Sequence, residues 1–114
     1  MMFEKIFDNL VNDGFQVYPV GIHEGECKSE YLVIKNMGKT KIAGISSQQT
    51  IIDIICHVPI NRPVDLINLT ERVKKSMKNL YPEVLPTGTE TPDFVDDTTK
   101  SVTSSIEYRY NQRM

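Results

Sequence analysis

The stretch IIDIICHVP, residues 51–59, constrains the fold more than any other part of the chain. With the two-residue period of a strand, Ile52, Ile54, Cys56 and Val58 point one way, and Ile51, Asp53, Ile55 and His57 point the other. A strand apolar on both sides belongs at the centre of a sheet, with helices over one face and a further layer, such as another subunit, over the second. Pro59 and Pro63 end it, and the fixed torsion of Pro63 suits the first turn of a helix, where a missing N–H costs nothing. The helix that follows places Leu66, Leu69, Val73, Met77 and Leu80 on one face and Glu71, Arg72, Lys74, Lys75 and Lys78 mostly elsewhere. It should stop near Leu80, because Pro82 cannot continue it.

Other elements follow from the same periodicities. Phe3, Ile6, Phe7, Leu10 and Val11 make one helical stripe over about residues 2–13, and Gly14 suits the left-handed residue that ends a helix. FQVYPVGI is a short edge strand at best, since Pro19 is excluded from a central position. HEGECKSE reads as a turn, and YLVIKN gives a second strand over about residues 30–36. Gly38 among polar neighbours predicts the connection to the long strand region, about 41–58. PEVLPTGTETPDFVDD reads as a long ordered loop. The closing strand alternates Val102, Ser104, Ile106, Tyr108 and Tyr110 with polar residues, so one face is core and the other wet.

The expected fold is therefore a single α+β domain over residues 1–114, with a mainly antiparallel sheet of about four strands packed by two helices. The element order is helix, three strands, helix, strand. Its expected core joins Ile52, Ile54, Val58, Leu69, Val73, Met77, Ile106 and Tyr108.

Composition narrows function mostly by exclusion. With 39% hydrophobic and 25% charged residues the chain has the usage of a globular domain, and a formal charge of −2 disfavours a generally basic, nucleic-acid-binding surface. The N-terminal segment carries Glu4, Lys5 and Asp8 and is not a signal peptide, and no segment is apolar enough to span a membrane. Cys27 and Cys56 are too few for a disulfide framework and read as thiols in or near the core.

Chemistry-bearing residues do not form a motif. His23, Cys27, Cys56 and His57 are the soft ligand types, but adjacent Cys56 and His57 point to opposite faces of a strand, so no metal is expected. Cys56 with His23 lacks the context of an activated nucleophile. Glu90, Asp93, Asp96 and Asp97 read as a solvated acidic loop, and Lys35, Lys39 and Lys41 as a lysine cluster that protects a sheet edge or forms a local anion patch. The glycines are scattered, with no phosphate-binding loop. No catalytic residue and no cofactor is expected.

The run of elements nonetheless has a familiar texture. The N-terminal helix, the strand IIDIICHVPINRP, the helix LINLTERVKKSMKNL, the segment PTGTETPDFVDD and the closing strand SSIEYRYNQR together resemble the tail terminator or tail completion proteins of tailed phages. The resemblance is to the versions found in clostridial and bacillar prophages and in phage-tail-like bacteriocins. It covers nearly the whole chain and is most suggestive at the strand–NRP–helix junction and the SIEYRY ending. It implies a non-catalytic virion protein, assembled in the bacterial cytoplasm into a homo-oligomeric ring, usually hexameric, that caps the tail tube. The implied partners are the tail tube protein, the sheath protein in a contractile particle, and a collar or head-completion protein, with no membrane and no specific nucleic acid.

The residues expected at such interfaces are Ile51 and Ile55 on the second face of the long strand, Lys39 and Lys41, and Val84, Leu85, Phe94 and Val95 in the segment that follows the second helix. Together these are more apolar surface than two helices readily hide. Two other classes remain open: a small enzyme, which would bring His23, His57 or the acidic loop together in a cleft, and a nucleic-acid-binding module, which would show a contiguous basic face.

Overall fold

The computed structural model describes residues 2–21, 25–41 and 47–113. His23 and Gly44 lie outside the described residues. The elements are α1 (Met2–Asn12), β1 (Val17–Pro19), β2 (Tyr31–Lys41), β3 (Ser47–Pro59), α2 (Asp65–Met77) continued by a 3-10 turn (Lys78–Leu80), β4 (Val84–Glu90), β5 (Phe94–Asp96) and β6 (Ser101–Arg113). The α+β class and the two helices match expectation, but the sheet has six strands among the described residues, not about four, and the element order differs accordingly.

The strands lie in the order β1-β2-β3-β6-β4, with β5 also on β6. All pairings are antiparallel except the short edge pair of β1 with β2. β3 is central, as its two apolar faces require, with Ile54 beside Ile34 on one neighbour and Ile106 on the other. This register puts Leu32, Ile34, Ile52, Ile54, Cys56, Val58, Ile106 and Tyr108 on one side, and α1 and α2 close over them. Every member of the core expected from periodicity is buried in a single cluster with Ile6, Leu10 and Leu66. Val11, placed on the α1 stripe by spacing, is instead 45% exposed.

A polar knot pins the helices together. Asn9 donates from its side-chain amide to the carbonyl and hydroxyl of Ser76 at 3.0 and 3.1 Å, Ser76 donates to Asp13, and Asn79 donates to Asn9 at 3.1 Å. Ahead of α2, the turn through Pro63 holds Asp65 N–H to Arg62 C=O and Leu66 N–H to Pro63 C=O, so the regular helix starts two residues later than the proline predicts.

The expected loop is the largest correction. Residues 84–96 form an interrupted strand along β6: Val84 pairs with Tyr110, Pro86 with Tyr108, Glu90 with Ile106 and Phe94 with Thr103. Between Glu90 and Phe94, Thr91 N–H bonds Ser105 C=O at 3.0 Å, and Ser105 N–H bonds the Thr91 hydroxyl at 2.8 Å. Residues 87–89 face only Glu107, a bulge in which Gly88 takes φ 91°. Pro86 and Pro92 are tolerated because this is the sheet's edge, where a missing donor breaks no ladder. Val84, expected at an interface, is 1% exposed and belongs to the core.

Gly38 is likewise not a turn. It is a bulge inside β2, at φ 115°, with its N–H held by the Asn36 side chain at 2.8 Å, and β2 runs on to Lys41. The molecule is long, 49 × 24 × 24 Å, with a radius of gyration of 14.5 Å against about 13 Å for a compact domain of this length. The strands set that length, and the two helices cover only part of it.

Candidate functional site

The helices cover one face of the sheet, and among the described residues no helix packs on the other. Cross-strand register builds this second face in rows. Tyr31, His57, Thr103 and Phe94 form the first; Val33, Ile55 and Ser105 the next, bordered by Thr91; Lys35, Asp53 and Glu107 the third; Ile51, Arg109 and Leu85 the last.

The first row is closed by the chain itself. Tyr31 stacks on His57 with ring centroids 4.4 Å apart, Tyr18 meets Tyr31 edge-on at 5.7 Å, and Cys27 N–H bonds Thr99 C=O at 2.6 Å, drawing the segment before β2 over this end. His57 Nδ1 and the Ser101 hydroxyl share a hydrogen bond at 3.3 Å. Burial, then the charges of Cys27 and Asp96, push the Tyr31 phenol up to about 12. This corner is a packed polar and aromatic cap, and the expected wet face of β6 is dry there: Ser101, Thr103 and Ser105 are all buried.

Beyond the cap the face is open. Val33, Ile51 and Ile55 are half-buried, with no helix over them among the described residues. Asp53 sits between Lys35 and Glu107; burial first and the Glu107 charge second raise its pKa above the ordinary carboxylate value, while Lys35 opposes them. Phe94, 66% exposed, stands at the border of a shallow groove of about 410 Å³ with Ile55 in its floor.

Of the residues expected at an interface, Ile51, Ile55, Leu85 and Phe94 share this face. Val95 pairs with Val102 and lies on the opposite side of β5, 50% exposed. Lys39 and Lys41 also change sides: the bulge at Gly38 shifts the alternation, so Lys39 pairs with Thr50 and Lys41 with Gln48 on the helix-bearing side, away from Lys35. The expected lysine cluster is therefore split across the two faces.

A second concavity lies on the helix-bearing side, between α2 and the bulge of β4. Its volume is about 370 Å³, its walls are Met77, Val84, Pro86, Ile106 and Tyr108, and Tyr81 stands at its mouth. Lys74 bridges its rim by an ion pair with Glu90 at 3.0 Å, and Lys78 lies one turn further along. The bulge holds the cleft open by lifting residues 87–89 out of the ladder. The one sequence signal for it is Gly88, between threonines in a segment otherwise compatible with an edge strand.

Among the described residues the remaining chemistry-bearing groups do not converge. Cys56 points into the core, where burial pushes its thiol up to about 12, and burial also raises that of Cys27, so neither is a thiolate near neutral pH. His57 points away from Cys56, as the strand period requires. Asp96 accepts from the N–H groups of Thr98 and Thr99 and shapes the turn into β6, whereas Glu90 is tied to Lys74. Among the described residues no group of three or more His, Cys, Asp or Glu side chains is placed to hold a metal ion. Arg72 makes a two-pronged contact to Glu30 at 2.9 and 2.7 Å and lies over the Phe15 ring. No helix among the described residues is long and apolar enough to cross a membrane. Comparison with protein-family models and with curated proteins found no match.

Proposed function

We propose that the chain is a structural protein of a tailed phage or phage-tail-like particle, which assembles with copies of itself into a ring that caps the tail tube and joins it to the collar or head. The observation that carries this reading is the uncovered face of a two-layer domain. In a sheet that needs both sides of β3 buried, Val33, Ile51 and Ile55 have no helix over them among the described residues, and Phe94 projects beside them. Surfaces of this kind mark protein contacts. The projecting strands favour the same reading, because an elongated wedge offers neighbouring copies two long flanks.

The chemistry-bearing groups among the described residues are largely engaged in packing. The buried thiols are protonated, His57 is locked in an aromatic stack, Glu90 is held in an ion pair and Asp96 in a turn. Lys35 is separated from Lys39 and Lys41 across the two faces, and Arg72 and Lys74 are paired with Glu30 and Glu90, which lends no support to a contiguous basic, nucleic-acid-binding surface. The partners of this reading are a second copy, the tail tube protein, the sheath protein where the tail contracts, and a collar or head-completion protein.

Sedimentation of the purified protein with and without purified tail tubes tests the proposal. Co-sedimentation at a fixed small number of copies per tube end is expected. Copies bound along the whole tube, or none at all, would remove the terminator reading.

A further inference from the structure

We propose that Phe94 of one copy seats in the apolar cleft between α2 and β4 of the next copy, joining the chains head to tail; this rests on the ring reading and assigns its contact. Phe94 is a large apolar side chain left 66% exposed on a strand held firmly in place. β5 is paired along its length with β6, and the Thr103 hydroxyl donates to Phe94 C=O at 3.3 Å. The cleft, about 370 Å³ with apolar walls, has ample room for one aromatic ring.

The two features cannot meet within one chain. Phe94 aligns with Thr103 on the helix-free face, whereas the cleft opens on the helix-bearing face, beneath α2. A knob on one face and a hole on the other make a heterologous contact, which repeats from copy to copy and closes when the rotation per copy fits.

Charge selects the occupant. Phe94 is flanked by the exposed carboxylates of Asp93 and Asp97, and the cleft rim carries Lys74 and Lys78, with Lys75 beside them on α2. Lys74 is already paired with Glu90, but Lys78 has no ion pair among the described residues. Glu107 also borders the cleft, yet its carboxylate accepts from the Thr87 hydroxyl at 2.8 Å and lies towards Asp53 on the other face. An acidic segment with an aromatic anchor, such as 93–97, therefore complements the rim, and buried aromatic anchors carry much of the affinity of protein contacts.

The test pairs a knob variant, Phe94→Asp, with a plugged-cleft variant, Thr89→Trp, at an exposed position beside the opening. Both are first checked for an unchanged denaturation midpoint. Analytical ultracentrifugation up to millimolar concentration should show wild-type self-association, weakened roughly 30-fold or more in each variant alone. An equimolar mixture should form a dimer that grows no further, because it retains one intact Phe94 and one intact cleft. Three results would overturn the contact: a wild type monomeric throughout, variants that assemble like wild type, or a mixture that forms no dimer. Variants that still cap tubes normally would remove this contact and keep the tail reading. Self-association through the contact by a protein that ignores tubes would do the reverse.

Discussion

Truncating Val84 and Val95 to alanine, one at a time, separates the interrupted-strand account of residues 84–96 from the surface loop that their prolines suggest. Val84 is 1% exposed, aligned with Tyr110 and enclosed in the core cluster, while Val95 is 50% exposed on the short strand β5. Val→Ala removes two methyl groups. At about 0.8 kcal/mol for each buried carbon, the transfer cost at Val84 is about 1.6 kcal/mol. The cavity left in a packed core adds to this, giving a total of about 2 to 3 kcal/mol. Val95 already meets water over half its surface, so the same truncation should cost about 0.5 kcal/mol or less. Urea denaturation followed by far-UV circular dichroism reads both as shifts in midpoint at constant slope. Equal and small losses would show that Val84 is not in the core and that the strand assignment is wrong.

Thr50 is fully buried, and its hydroxyl has no hydrogen-bond partner among the described residues, so Thr50→Val, which keeps the shape and removes the stranded group, should raise stability by about 1 kcal/mol in the same assay; a loss would show that the hydroxyl is satisfied in solution. Asp53, whose pKa is raised by burial and then by Glu107, binds its proton more tightly folded than unfolded, so it lowers stability as pH climbs from the ordinary carboxylate value of about 4 through its raised value. Asp53→Asn should therefore be more stable than wild type near neutral pH, with the advantage shrinking towards about pH 3; a variant less stable at neutral pH would mean that the Asp53 charge is favourable where it sits.

Periodicity carried the centre of the molecule and failed at its margins, for physical reasons. β3, α2 and the alternating half of β6 each bury one continuous apolar face, so Ile54, Val73 and Ile106 announce their partners through spacing alone. In residues 84–96 a bulge at 87–89 and a break between Glu90 and Phe94 interrupt the alternation, and Pro86, Gly88 and Pro92, which exclude a central strand, are all compatible with a bulged edge. Gly38 misled in the same way: it allows a turn, but here it serves a bulge that carries Lys39 and Lys41 to the other face.

The surface was legible in part. The apolar second face of β3 is visible in Ile51 and Ile55, and Phe94 stands out as an aromatic between aspartates. The cleft under α2 was not legible, because its walls are ordinary core residues. Met77, Ile106 and Tyr108 remain core residues, and they line a cleft only because the β4 bulge opens beside them, a product of three-dimensional register rather than composition.

The ring reading is tested most directly on particles. Tails from a strain lacking this protein, imaged by electron microscopy beside wild-type tails, should be overlong or variable in length and unjoined to heads or collars. Tails of normal, uniform length that still join their heads or collars would contradict the account.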